Sequence, residues 1–358
     1  MERERLREKE PIQKTKYEQM LEFYQKWQER QKNGELVIHG NEKKYVETRQ
    51  GWLKYYLSPF DTETALNSWT VFEHDIRKQS GRHRHQGGII IYVLEGEGIT
   101  EVDGHYHDWK AGDLLLLPIQ QDGVAHQHWN KDANISCKWI AFRDMLVAPY
   151  IANAIDQLQE NSEITGKPAG RISGDIDDDW KVTVNGDQVS LVTSPAELES
   201  VNLFDKLIEL RDKQRSRMND STWIIRGEDL PWELNAHGKM QWYLHPCIAY
   251  SCVQTHVFYR QEIPVGSRSG VQRHGGDLVF YITLGQGYTE VNGVKYNWQA
   301  GDVMTLPIFA DGVIYRHVNT GSEPVFLIAI ERNMVHTVGV DRQCGFEELQ
   351  PCLEFRQK

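Results

Sequence analysis

The chain repeats itself. The stretch SGRHRHQGGIIIYVLEGEGITEVDG at 80–104 returns as SGVQRHGGDLVFYITLGQGYTEVNG at 269–293, 189 positions later. In the same register WKAGDLLLLPIQQDGVAHQHWN (109–130) matches WQAGDVMTLPIFADGVIYRHVN (298–319), and 24 of the 51 positions from Ser80 to Asn130 are identical without a gap. Upstream, VIHG (37–40) answers IIRG (224–227), and YYLSP (55–59) answers WYLHP (242–246). The duplicated unit spans roughly 20–145 and 207–335. Such self-similarity means two like units, whatever their elements are.

Within each unit the pattern is that of β-strands. Ile89–Leu94 and Ile99–Val102 flank a Gly-containing turn, as do Val279–Thr283 and Tyr288–Val291. Asp103-Gly104 and Asn292-Gly293 carry the positive-φ chemistry of two-residue hairpins. Short strands at such spacing argue for a sandwich or barrel. Helical periodicity is confined to a stripe of Tyr17, Met20, Leu21, Phe23, Tyr24 and Trp27, a matching one of Leu203, Phe204, Leu207, Ile208 and Leu210, and a shorter one of Ile151, Ile155 and Leu158. These readings divide the chain into a helix plus first barrel (1–150), a connecting segment (151–206) and a helix plus second barrel (207–358). The acidic run Asp175-Ile176-Asp177-Asp178-Asp179 in the connection reads as a solvated face.

Charge and apolar runs exclude several partners. With 40 Lys and Arg against 51 Asp and Glu the formal charge is −11, which speaks against a nucleic-acid partner. The longest apolar runs, Ile89–Leu94 and Leu114–Ile119, are six residues each, far short of the ~20 of a membrane-spanning helix. The N-terminus is charged from its second residue and lacks the apolar core of a secretory signal. Cys137, Cys247, Cys252, Cys344 and Cys352 form no CxxC motif, so reduced thiols in a cytoplasmic protein are expected. The helical stripe at 17–27 and the repeat faces offer surfaces for a homo-oligomer.

Three histidines carry the chemistry. His83 and His85 are two residues apart at the start of a strand, so both imidazoles share one face. A closing strand can bring His126 beside them. Three neutral imidazoles suit Fe, Zn, Cu or Ni and leave coordination positions open. His105 and His107 repeat the HxH spacing but follow the Asp103-Gly104 turn, which places them on an exposed hairpin.

The run Gly81…His83-x-His85…Gly96, followed by Gly112-x5-Pro118…Gly123-x2-His126-x3-Asn130, resembles both motifs of the cupin superfamily, with three additional residues between Pro118 and Gly123. The resemblance extends over both units and so implies an all-β bicupin: duplicated double-stranded β-helix (jelly-roll) barrels, each preceded by a short helix, with a metal in the barrel mouth held by His83, His85 and His126. The Glu that follows the second histidine in many cupins is absent, its place taken by Ile89 or Ile90. A three-His set without the carboxylate resembles the gentisate and salicylate 1,2-dioxygenases and argues against the oxalate decarboxylase type. That implies an Fe(II) cofactor, a small hydroxylated aromatic substrate and O2. It also implies a proton-handling role for His128, two residues beyond the third ligand. Equivalent positions in the second unit are Gln272, His274, Tyr315 and His317, so one ligand of three survives and that barrel is expected to be degenerate.

Substrate contacts are less defined. The arginine that holds a substrate carboxylate in the dioxygenases is replaced by Ile91, within the apolar run Ile89-Ile90-Ile91. A desolvated carboxylate needs a cation, and Arg143 is the candidate substitute. Trp69 could line an aromatic pocket. The competing functions are a non-redox metal enzyme (isomerase, lyase or hydrolase) and a small-molecule-binding cupin without turnover, because fold alone does not select an activity.

Overall fold

A computed structural model of the chain describes residues 14–166, 176, 194–334 and 346–355. The strand pattern closes into two antiparallel β-barrels, each a seven-stranded sheet facing a five-stranded one. In the first barrel the smaller sheet contains Arg82–His85, Glu97–Val102, His105–Lys110, Val124–Asn130 and Asp156–Gln159. The hairpins turn where the sequence places them. Asp103 and Asn292 both have φ of 49°, and the glycines after them have φ of 93° and 84°, the two successive left-handed residues that a tight turn between right-twisted strands requires. A β-carbon on Gly98 would lie 2.1 Å from the Trp109 ring. Glycine there lets the indole lie flat across the neighbouring strand.

Side-chain alternation sorts each strand between two cores. Ile89, Ile91, Val93, Leu115, Trp139 and Ala141 fill the first barrel. Their sequence neighbours Ile90, Tyr92, Leu114, Ile140 and Phe142 face away, into a core shared with Phe258, Val279, Tyr281, Ile328 and Ile330 of the second unit. The apolar run 89–91 is therefore divided: Ile89 and Ile91 line the barrel, and Ile90 glues the barrels together.

The units also exchange strands. Val37–Ile38 pairs with Val303–Met304 of the second barrel, and Ile224–Ile225 pairs with Leu114–Leu115 of the first. The Gly40 amide donates to Asp302 (2.9 Å) and the Tyr56 hydroxyl to the Gly301 carbonyl (2.9 Å). Their counterparts are Gly227 to Asp113 (3.2 Å) and Tyr243 to Gly112 (2.8 Å). Backbones approach so closely that a β-carbon at Gly40 would lie 2.0 Å from the Gly301 oxygen. The repeated VIHG and IIRG segments are thus hooks. Each sits in the barrel of the other unit, so the boundaries 1–150 and 207–358 mark sequence units whose leading ends cross over. A buried cluster reinforces the junction: Arg332 binds Asp144 at 2.6 and 2.8 Å, the Ser68 carbonyl at 3.0 Å, and Asp277.

Both expected helices form, Lys16–Asn33 with a Thr15–Glu18 capping box and Leu203–Asp220 capped by Asn202. Their apolar stripes face outward: Tyr17, Phe23, Leu203 and Phe204 are all exposed. The third expected helix does not form over 151–158. Ala152 takes φ of 52°, ending a single turn at Val147–Tyr150, and Asp156–Gln159 becomes a strand along Arg82–His85. An unpaired edge beside the histidines is thereby covered, and part of the connecting segment completes the first barrel. The acidic run lies outside the described residues except for Ile176, as does Cys344.

Candidate metal centre

The strand carrying His83 and His85 lies antiparallel to the one carrying His126. His83 is directly opposite His126, and His85 opposite Val124. Alternation sends Arg84 outward to solvent and the three imidazoles inward. One ligand nitrogen from each ring lies within 4.8 Å of the others, and the Nε2 atoms of His83 and His126 are 2.7 Å apart. His126 Nδ1 lies 3.2 Å from the Val124 carbonyl. Donation to that oxygen puts the proton on Nδ1 and leaves the Nε2 lone pair for a ligand. His85 Nε2 is buried without a partner while its Nδ1 accepts from the Gly87 amide (3.0 Å), the condition of a nitrogen awaiting a cation.

Electrostatics favour the neutral, ligating form. Burial lowers His126 to about 4, against the Val124 hydrogen bond, and lowers His83 further with help from its histidine neighbours. His85 falls well below the ordinary range, first through burial and then through the charges of His126 and Arg143. Among the described residues these three histidines are the one group with metal-ligand spacing, and no carboxylate belongs to it. Three imidazoles without an acidic ligand fit a borderline divalent transition metal such as Fe(II) better than an oxygen-seeking ion.

The other predicted residues divide between this site and the rest of the fold. His128 lies 5.6 Å from His126, ring to ring, on the same inward face. Its Nδ1 is 2.7 Å from the Thr100 hydroxyl, which accepts the Trp109 indole N–H at 2.7 Å. With the hydroxyl accepting from the indole, its own proton is available to His128 Nδ1, an arrangement that leaves the imidazole proton on Nε2. His317, Thr289 and Trp298 reproduce this chain in the second barrel at 2.8 and 2.8 Å. Ile91 faces the interior, opposite Ala141. Arg143 shares Ala141's inward face, two positions along. It is half-buried, its positive charge is felt at His85 and Tyr55, and it forms no hydrogen bond or ion pair among the described residues.

Trp69 lies elsewhere. It is fully buried in the core between the barrels, where its indole donates to Asp277 (3.0 Å) and Arg332 lies over its ring. Alternation on Trp69–Asp75 turns Phe72 and His74 inward instead, so Trp69 cannot line the pocket. His107 is buried rather than exposed, packing on Trp223, because its strand is covered by the second unit's leading segment. Sequence reasoning missed Phe72, His74 and Trp139. Trp139 is two residues from Ala141 and four from Arg143, so following the inward positions back from Arg143 would have found it.

In the second barrel Gln272 lies opposite Tyr315 and His274 opposite Val313, the register of the histidine strands. The Tyr315 hydroxyl donates to Gln272 (3.0 Å), and His274 Nε2 lies 3.1 Å from Glu331. Register also places Glu331 where the first barrel has Arg143, since the two face the equivalent residues Val257 and Thr70.

Two jelly-roll barrels, one with an inward triad of histidines at the motif positions, define a bicupin. A cupin domain model matches residues 72–143 and 259–331, so the chain carries two cupin domains. Among curated proteins it is 33% identical over 96 residues to gentisate 1,2-dioxygenase of a Streptomyces species, covering 26% of this chain and 24% of that one. It is 23% identical over 230 residues to gentisate 1,2 dioxygenase 1 of Aquipseudomonas alcaligenes (63% and 59% covered). It is 21% identical over 267 residues to 5-aminosalicylate 1,2-dioxygenase of a Comamonas species (74% and 65% covered). The matches span less than two thirds of each of these relatives. Among solved structures, oxalate decarboxylase of Lactobacillus farciminis superposes with a TM-score of 0.54 at 16% identity, covering 84% of this chain and 86% of that one. At that identity the likeness is one of fold.

Proposed function

We propose that the first barrel holds Fe(II) on His83, His85 and His126 and that the protein is a dioxygenase opening the ring of a small hydroxylated aromatic compound. The observation that carries this reading is the all-imidazole triad with Arg143 beside it. The dioxygenase names of the curated relatives support it. The fold likeness to oxalate decarboxylase does not extend to a carboxylate ligand. When bound, Fe(II) supplies Lewis acidity toward a substrate oxygen and redox chemistry toward O2, with open positions beside three protein ligands.

The chain's own residues perform the rest. Ile89, Ile91 and Phe72 form an apolar wall that excludes water and receives the ring. Arg143 orients a substrate carboxylate, the role its replacement by Ile91 in the motif left open. A half-buried cation without a protein partner is suited to an anionic ligand. His128, on the inward face beside His126 and oriented by Thr100, would supply a proton to a substrate oxygen. Holding ring and O2 together in a dry site replaces a difficult encounter in solution. The second barrel, with Tyr315 bonded to Gln272 in place of two ligands, serves the fold.

The test is anaerobic loading with Fe(II), then oxygen-electrode screening of gentisate, salicylates, hydroquinones and aminophenols. Oxygen-dependent ring opening of at least one compound is expected, and its abolition by His83→Ala. An iron-replete protein that consumes no oxygen with any of them overturns the assignment.

A further inference from the structure

We propose that the indole N–H of Trp139 donates a hydrogen bond to the aromatic substrate and so selects rings that carry an oxygen substituent beyond the pair nearest the metal site. This rests on the substrate class proposed above.

Three observations carry it. Trp139 sits between the triad's neighbours and the outer wall: its ring lies 5.3 Å from that of His128 and 5.8 Å from that of Phe72, which in turn lies 5.5 Å from the half-exposed Tyr55. Trp139 is only 4% exposed, yet its indole nitrogen meets no acceptor among the described residues. An indole can only donate, and a buried donor left unmet is destabilising and uncommon. Other buried tryptophans here are satisfied: Trp109 by Thr100 (2.7 Å), Trp298 by Thr289 (2.8 Å) and Trp69 by Asp277 (3.0 Å). Trp129 shares the unmet nitrogen but stands on the outward side of its strand, against Tyr106.

The third observation is the repeat itself, which separates scaffold from site. Trp139 faces Val93 and His74; Leu327 faces their counterparts Ile282 and Gln261. Leucine therefore serves at this position for packing a cupin barrel. The Thr–His–Trp chain occurs in both barrels, whereas the tryptophan donor, the arginine and the full triad occur together in the first. Arg143 and Trp139 lie on one face of one strand, roughly 13 Å apart at about 3.3 Å per residue, with only Ala141 between them. Arg143 stands near His85 and Trp139 near His128, so a ring held at the triad has a cation at one end and a neutral donor at the other.

The test measures binding, with Zn(II) loaded in place of a redox-active metal, by titration calorimetry. The probes are 2,5-dihydroxybenzoate and 2-hydroxybenzoate, which differ by one ring hydroxyl. Trp139→Phe keeps the ring and removes the N–H. It should weaken the dihydroxy compound about fivefold, the factor for one neutral hydrogen bond, and leave the monohydroxy compound within about twofold. Trp139→Leu, the residue of the second barrel, should show the same selectivity, and both variants should keep one Zn(II) per chain. In the wild-type protein labelled with indole ¹⁵N, one buried indole resonance should shift downfield with the dihydroxy compound and not with the other. If both compounds bind the wild type but the variants lose neither or both equally, and no indole resonance responds, the Trp139 assignment falls and the substrate class stands. If neither compound binds the Zn(II)-loaded wild type, both fall.

Discussion

Replacing Arg143 with Met removes a guanidinium while keeping most of the side chain's volume. The structure sets the size of the effect. Arg143 is half-buried, burial holds its pKa below the ordinary arginine value, and it makes no hydrogen bond or ion pair among the described residues. Little protein structure therefore depends on it, and stability and metal content should change little. A carboxylate bound to it in that setting makes a charge-assisted hydrogen bond that contributes about 1.5–3 kcal/mol. Its loss should lower kcat/KM for a carboxylated ring by about 10- to 150-fold. A hydroquinone without a carboxylate should lose no more than about twofold, since it has no anion to orient. Arg143→Lys should fall between, because an ammonium restores charge but not the planar fork. The assay is steady-state oxygen uptake under matched iron content. An equal fall for both substrates would refute the reasoning, for it would mean that Arg143 acts on the metal site or the fold and not on the carboxylate.

Three further outcomes follow from the geometry. His83→Ala and His126→Ala should each lower iron occupancy from one per chain toward zero, and His128→Ala should leave it near one, as elemental analysis will report. Arg332→Met leaves Asp144 and Asp277 buried without their cation and should destabilise the protein by about 3–5 kcal/mol in urea unfolding at pH 7. Burial works upward on the Asp144 carboxyl, but hydrogen bonds from His256 and Arg332 outweigh it and hold it well below the usual range. Its stabilising contribution is therefore present above the ordinary carboxylate pKa of about 4 and fades as pH falls below that. The gap between wild type and Arg332→Met should narrow on acidification; a constant gap contradicts the assignment. Finally, the triad's depressed pKa values mean that protons compete poorly with the metal. Release measured with a chromogenic chelator should therefore begin only below the ordinary histidine value of about 6.5; a site already half emptied at pH 6.5 would contradict the depressed values.

How much of this was legible in advance depended on whether local chemistry or long-range packing decided the outcome. Asp103-Gly104 and Asn292-Gly293 announced their turns because only residues tolerant of positive φ fit there. His83 and His85 share a face because alternation acts over two residues, whereas His126, opposite His83 across 43 positions, was reached through the motif resemblance. Trp69 failed as a pocket residue for the complementary reason: alternation says that Trp69 and Phe72 face opposite ways, but not which way is in. The answer comes from the second barrel, whose Asp277 and Arg332 receive Trp69. The same partner divides Ile90 from Ile89 and Ile91. The strand exchange was written in VIHG and IIRG, but two apolar residues make too short a strand to declare a partner. Residues 151–158 looked helical by spacing alone, yet the open edge of Arg82–His85 drew Asp156–Gln159 into the sheet.

The central claim is that one iron, in the first barrel, directs O2 into an aromatic ring. Its most direct test is a single turnover under ¹⁸O2: protein loaded anaerobically with Fe(II), mixed with one equivalent of the best substrate from the oxygen-electrode panel, and the product read by mass spectrometry. The account predicts a ring-opened product carrying both atoms of one O2, formed by wild type and not by His126→Ala. A product with one labelled oxygen or none from an iron-replete wild-type protein would contradict it.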